Sequence, residues 1–259
     1  MNFSYWGLFF SLLLFAVPLP LFFRLGGGLL RSSAVAVCRM AVQLLLVGVY
    51  MEWLFAWHNT IVNLIWLALM AAVASLSILH NARLRPQVLL MPVVVGLFVA
   101  VLVVGFYLLV AVLRPTHILD TRCLVPVFGL LLGGVQSVGK AILETFYSSL
   151  QSDADSYYYL LGNGASHREA LRPFFKDALQ KAYAPLVANV AVAGLATMPN
   201  MMLGAMLGGT APHVAVVWQI GVVAGVFAAS LLFAVVVLRL SDGRAFDGYG
   251  RLRSVFRKG

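Results

Sequence analysis

Charge is scarce in this chain of 259 residues: 10% of them are Asp, Glu, Lys or Arg, and only nine are acidic. Soluble domains carry roughly 25% charged residues, so the shortfall excludes an ordinary water-solvated surface. Cysteine is nearly missing as well, with Cys38 and Cys123 alone, which excludes a disulfide framework and leaves both as packing residues. Alternating polar and apolar residues are missing from the long apolar runs, which argues against a membrane β-barrel. What fills the chain is hydrocarbon: 62% of residues are hydrophobic, with a mean hydropathy of +0.95. Lipid is therefore the expected solvent, and helices are the expected way to cross it, because backbone polar groups in lipid must be satisfied within the segment.

A hydrocarbon layer of about 30 Å takes roughly 20 apolar residues per helix. Predominantly apolar stretches of that kind lie at 4–23, 34–55, 61–79, 88–112, 124–143, 184–207 and 213–238, with Arg39, Glu52 and Lys140 the charged residues within them, which predicts about seven transmembrane helices. The first could pass for a signal peptide, but it has no basic start and no small-residue cleavage site, and meets its first charge at Arg24. It reads as helix one.

The net charge of +9 would raise the question of nucleic acid in a soluble protein. Its placement answers that question instead. Alternate junctions carry Arg24 and Arg31, then Arg83 and Arg85, then Arg168, Arg172, Lys176 and Lys181, and the C-terminal stretch adds Arg239, Arg244, Arg251, Arg253, Arg257 and Lys258. The opposite junctions hold Arg114 and Arg122, the neutral Trp57 and Asn59, and the run 208–212. By the positive-inside rule the N-terminus is outside and the C-terminus cytoplasmic. The basic residues also suit anionic lipid head groups, and no nucleic-acid partner is expected.

One polar interruption is long. Residues 144–183 hold Glu144, Asp153, Asp155, Glu169 and Asp177, and read as a helix, a break at Gly162 and Gly164, and a second helix. Ser166 and Glu169 have capping-box spacing, and Leu171, Phe174, Phe175, Ala178 and Leu179 form an apolar face. Tyr157, Tyr158, Tyr159, Leu160 and Leu161 stand beside charge in the first half. Such a segment either lies on the lipid surface or docks a cytoplasmic partner that buries its aromatics in a groove.

Gly164 to Ala170, reading Gly-Ala-Ser-x-x-x-Ala, with the basic stretch after it and Ala184-Pro185 entering a membrane helix, resembles the coupling segment of ABC permeases. Further stretches widen the likeness: RMAVQLLLVG at 39–48, PVFGLLLG at 126–133, GLATMPNMMLG at 194–204 and Trp218-Gln219-Ile220. In that order they are similar to the FetB-type family of bacterial iron-export permeases, relatives of plant aluminium-tolerance transporters. The resemblance covers most of the chain beyond helix one. Two places depart from it: Met198-Pro199-Asn200-Met201-Met202 stands where the family usually shows Leu-Pro-Gly-Met-Met, and Gly134 stands where it commonly has Asn.

The resemblance implies an all-α integral membrane permease of the bacterial inner membrane. It would pair with a second copy, carry no cofactor or catalytic site of its own, and dock a cytoplasmic ABC ATPase. Its implied cargo is a metal ion, iron, and the departures at Asn200 and Gly134 leave a different small solute as the alternative. The docking surface would comprise Tyr157, Tyr158, Tyr159, Leu160, Leu161, Gly162, Gly164, Ala165 and His167. In domain terms, residues 1–143 hold helices one to five, 144–183 the cytoplasmic coupling segment, 184–238 helices six and seven, and 239–259 a basic cytoplasmic tail.

Few residues inside the spans could carry chemistry. Arg39 and Gln43 share a face of helix two and either line a path or snorkel to the inner boundary. Gln136, with Ser137 and Lys140, forms a similar stripe on helix five, and Pro199 with Asn200 breaks helix six beside Met201 and Met202. Broken membrane helices tend to line cavities, whereas a methionine stripe is usually core filler. Gly134 to Ala141 imitates a phosphate-binding loop, but Ala141 lacks the hydroxyl that would hold magnesium, and close helix packing explains the glycines better. His80, His117, His167 and His213 show no metal-ligand spacing, and Glu52 near His58 is a spacing with no demonstrated meeting. A gradient-driven transporter would need intramembrane acids to relay protons, and Glu52 and Glu144 both sit near an edge. A membrane enzyme would need a cluster of His, Asp or Glu at one face, which the sequence does not suggest.

Overall fold

The computed structural model describes residues 7, 10, 13–17, 20, 27–57, 60–113, 121–247, 250–253 and 255–256. The expected first span therefore falls mostly outside the described residues, as do Arg24, His58, Asn59, Arg114, His117, Arg257 and Lys258. Among the described residues the long elements are all helices: α1 (Gly27–Trp57), α2 (Thr60–Asn81), α3 (Pro86–Tyr107), α4 (Thr121–Ser152), α5 (Ala154–Gly162), α6 (His167–Val192), α7 (Asn200–Leu207) and α8 (Pro212–Ala245). Five stretches are long and apolar enough to cross a membrane: Leu30–Ala56, Ile61–Asn81, Pro86–Leu113, Cys123–Ser152 and Pro212–Ala245. The protein is an all-helical, multi-span membrane protein.

Two compact units divide the chain at Trp57. The first contains α1, on which Arg39 and Gln43 are exposed. The second, from His58 onward, is a bundle in which α3 packs along α8, α2 packs on α3 and α4, and α4 lies against α8. Its centre is hydrocarbon, with Leu89, Leu97, Leu131, Ile142 and Phe233 wholly buried. Side-chain fit rather than expulsion from water holds such helices together in lipid, and glycines set the spacing. A methyl placed on Gly139 of α4 would lie 2.6 Å from the Phe233 ring on α8, and one on Gly134 would lie 2.5 Å from Val226. The loop-like run 134–141 is thus part of a helix–helix seam. The space that an Asn would need at position 134 is occupied by Val226.

Local chemistry explains several boundaries. Pro86 and Pro212 open α3 and α8 at positions where a missing N–H costs nothing. The α2 terminus closes through Leu84 N–H to the Leu79 carbonyl at 2.9 Å, with Arg83 in the left-handed region at φ 55°. Ser166 caps α6 reciprocally with Glu169, as its spacing predicted: the Ser166 N–H donates to Glu169 Oε2 at 2.8 Å, and the Glu169 N–H donates to Ser166 Oγ at 3.4 Å. At the opposite end of α6 the sixth apolar run divides. α6 stops at Val192, a turn with Gly194 at φ 86° follows, and α7 starts after Pro199. The left-handed residue here is Gly194. Asn200 enters a right-handed helix instead, so its tolerance of the left-handed region is not used.

Helices also run through the boundaries read from composition. α4 continues to Ser152 and α8 to Ala245, while α6 spans 167–192 without interruption. Hydropathy marks where lipid ends, and a helix continues past that point as long as its backbone bonds and partners persist.

Candidate functional site

The α2–α3 turn, α5, the start of α6 and the end of α8 meet at one end of the second unit, tied together by the chain after Ala245. The Arg85 N–H donates to the Val255 carbonyl at 2.8 Å, and Leu84 bridges Phe256. Asp247 accepts from the Arg251 N–H at 2.7 Å, and the Arg253 N–H donates to the Ala245 carbonyl at 2.8 Å. Phe246 and Val255 are buried. The stretch after α8 therefore folds back as a cover on the basic end.

Tyr157 is the centre of that cover. Its hydroxyl donates to the Gly250 carbonyl at 2.9 Å and lies 2.8 Å from His167 Nδ1. Because the single phenolic proton goes to the carbonyl, Nδ1 is left as the donor to the Tyr157 oxygen. The other ring nitrogen faces Asp242 Oδ1 at 4.0 Å, and Phe246 meets the imidazole edge to face at 4.6 Å. Burial, with the neighbouring Tyr158 and the Asp242 and Asp247 carboxylates adding to it, raises the Tyr157 pKa.

The expected docking residues thus separate into two groups. Tyr157 is buried and His167 half-buried, and both hold the cover in place. Tyr158 and Tyr159 face outward, Tyr159 at 71% exposure, with Gly162 and Gly164 exposed and Leu160, Leu161 and Ala165 half-buried. A platform of exposed aromatics on a braced short helix is the result. α5 packs on α6 and α4, and α6 packs along α4, so a push on the platform reaches a membrane helix directly. Asp177 accepts from Lys181 at 2.8 Å and from the Ser149 hydroxyl of α4 at 3.2 Å.

The candidate pathway residues are not all together. Gln136 of α4 donates to Ser77 Oγ of α2 at 2.7 Å, and Asn81 donates to the same oxygen at 3.2 Å. Pro199, Asn200, Met201 and Met202 sit at the start of α7, which packs on α8, with the methionines and Pro199 half-buried and Asn200 exposed. Arg39 and Gln43 belong to the other unit. A cavity of about 180 Å³ between α2, α3 and α4 is lined by hydrocarbon alone, including Leu67, Phe98 and Phe128, and offers no ligand to an ion. Among the described residues no three His, Cys, Asp or Glu side chains could hold a metal.

Sequence reasoning missed Ser77 and Asn81, although their i, i+4 spacing in an apolar helix puts both on one face. It also missed Tyr147, whose buried hydroxyl donates to Ser241 Oγ at 2.9 Å and joins α4 to α8.

Fold and site together define a multi-pass membrane protein with a braced platform at its basic end. The profile of the uncharacterised protein family UPF0014 matches residues 5–246, and the chain belongs to that family. It is 23% identical to the UPF0014 membrane protein YjkA of Bacillus subtilis, over 87% of this chain and 89% of that one. It is 24% identical to the protein ALUMINUM SENSITIVE 3 of Arabidopsis thaliana, over 71% and 66%. With the probable iron export permease protein FetB of Escherichia coli it shares 22% identity over 84% and 82%. No solved structure matches the chain.

Proposed function

We propose that this protein is the permease subunit of an ABC transporter, working as a pair of copies in the bacterial inner membrane and exporting a metal ion, iron, as substrate. The observation that carries the reading is the platform of Tyr158 and Tyr159 on α5, braced against α4 and α6. ATP is hydrolysed on a cytoplasmic partner that seats on residues 157–167, and the permease itself does no chemistry. About seven membrane segments cross the bilayer, with the N-terminus outside. The gathering of Arg83, Arg85, Arg244, Arg251 and Arg253 at one end supports a cytoplasmic C-terminus.

In this mechanism nucleotide binding draws the two platforms together, and each transmits the motion through α5 and α6 into α4. The bundle rocks between inward and outward access, with the break before α7 as the flexible part of the path. The sharing of 22% identity with a probable iron export permease supports the cargo. Tyr159→Glu tests the docking claim, because Tyr159 faces outward at 71% exposure, whereas Tyr158 packs edge-on against Tyr157 at 5.2 Å. Loss of ATPase co-purification with normal membrane insertion is expected. An unchanged complex would remove this mechanism.

A further inference from the structure

α6 and α8 both pack on α4 but scarcely on each other, which leaves a cleft between them. Its outer end is closed by His167 facing Asp242 at 4.0 Å, and its deep end by the Tyr183 hydroxyl donating to the Phe227 carbonyl at 2.9 Å. Near the outer end lies a cavity of about 250 Å³ floored by Phe146 of α4. From α6 it receives Arg168, Leu171, Arg172 and Phe175, and from α8 it receives Val235, Leu238, Arg239 and Asp242. Each set has the i, i+3, i+4, i+7 spacing of a single helix face.

Polarity is graded along the cleft. The two helices run antiparallel, so Arg168 and Asp242 are outermost, Arg172 and Arg239 come next, and Phe175 and Val235 lie deepest. Beyond them the same faces continue with Leu179, half-buried, and Leu231, 46% exposed. Among the described residues Arg168, Arg172 and Arg239 form no ion pair, and the single carboxylate in the lining leaves a surplus of positive charge.

We infer that this cleft binds one anionic phospholipid, with its phosphate between Arg172 and Arg239 and an acyl chain along Phe175, Leu179, Leu231 and Val235. The cavity is smaller than the ~300–1,000 Å³ usual for a whole organic ligand, which suits a head group whose tails lie outside it. From Arg172 to Tyr183 the cleft is about 16 Å long at 1.5 Å per residue, close to one leaflet of a hydrocarbon core of about 30 Å, so on this inference the lipid boundary falls near Arg172 rather than after residue 183, with Asp177 paired to Lys181 at 2.8 Å. A soluble anion would use the arginines and leave the apolar track without a purpose. Guanidinium groups suit a phosphodiester through paired N–H donors, and basic pockets between membrane helices bind anionic head groups.

The test purifies the full-length chain from membranes of mixed phosphatidylglycerol and phosphatidylcholine and counts retained lipid by mass spectrometry, with inorganic phosphate as competitor. Phosphatidylglycerol is expected to be retained over phosphatidylcholine. Arg172→Gln and Arg239→Gln are each expected to weaken retention about fivefold, with no displacement by millimolar phosphate. Equal retention of both lipids, or unchanged retention in the double variant, overturns the inference; displacement by inorganic phosphate overturns it in favour of a soluble anion. Should the double variant misfold, Phe175→Trp with both arginines intact reports instead. Brominated phosphatidylglycerol should quench the tryptophan more than brominated phosphatidylcholine, and equal quenching overturns the lipid assignment.

Discussion

The hydroxyl of Tyr157 donates to the carbonyl of Gly250 at 2.9 Å, so the chain beyond the last membrane helix is fastened to the short helix of the platform. Composition alone presents these as one of three tyrosines in a polar segment and a glycine in a basic tail. Their bond makes the tail a brace, which also ties to the α2–α3 turn through Val255 and Phe256.

Tyr157→Phe removes the donor to Gly250 and leaves that carbonyl and His167 without their partner. A lost neutral hydrogen bond costs about 0.5–1.5 kcal/mol, so the cover should open several-fold more often. Limited trypsin digestion at Arg251 and Arg253 should accelerate accordingly while the membrane helices stay protected.

Acid should loosen the start of α6. Glu169 has a pKa below its ordinary value, first because the Ser166 hydroxyl bonds its carboxylate and then because the Ser166 N–H does. A lowered folded-state pKa means that its contribution is present above the unfolded carboxylate range and is lost as pH falls through the folded value. Hydrogen exchange at 167–170 should rise as pH drops below about 4, after correction for intrinsic rates. Glu169→Gln should keep much of the cap and abolish Glu169's share of that pH dependence.

Two glycines of α4 should respond oppositely to alanine. At Gly139 the added methyl meets the Phe233 ring at 2.6 Å, and overpacking of this kind costs about 1–3 kcal/mol. At Gly133 nothing lies within 4 Å, so only the helix-propensity gain of up to about 1 kcal/mol remains. Thermal aggregation temperatures of the two variants in one detergent should fall on opposite sides of the parent. A lower value for Gly133→Ala would point to a second copy packed at that face.

Gln136→Leu breaks the link to Ser77 and leaves Asn81 as that oxygen's donor. Hydrogen bonds between membrane helices average about 0.6 kcal/mol, so stability should change little. On the proposed pathway role, transport falls while expression and ATPase docking persist. Equal transport would reduce Gln136 to a packing residue.

The apolar runs at 34–55, 61–79, 88–112, 124–143 and 213–238 were legible because about 20 residues with at most two charges leave few alternatives to a lipid-spanning helix. The division of 184–207 was less so, since Ala193, Leu195 and Ala196 are as apolar as their helical neighbours. Gly194 and Pro199 were the visible signals, and reading the break at Asn200 placed it too late. The folded-back tail escaped notice because Phe246, Leu252 and Val255 alternate with charge, and a basic run after a membrane helix resembles a topology signal whether or not it packs. Within the platform, the capping box was readable from two residues. Which of three consecutive tyrosines turns inward depends on Gly250, more than ninety residues away in the chain.

The most direct test of the permease reading is ATP turnover by the chain co-expressed and co-purified with a candidate ABC ATPase from the same organism, reconstituted in liposomes with and without iron. A stable complex whose turnover rises with iron is the predicted result. Failure of the two chains to associate would contradict the account, and a stable complex indifferent to iron would contradict its cargo.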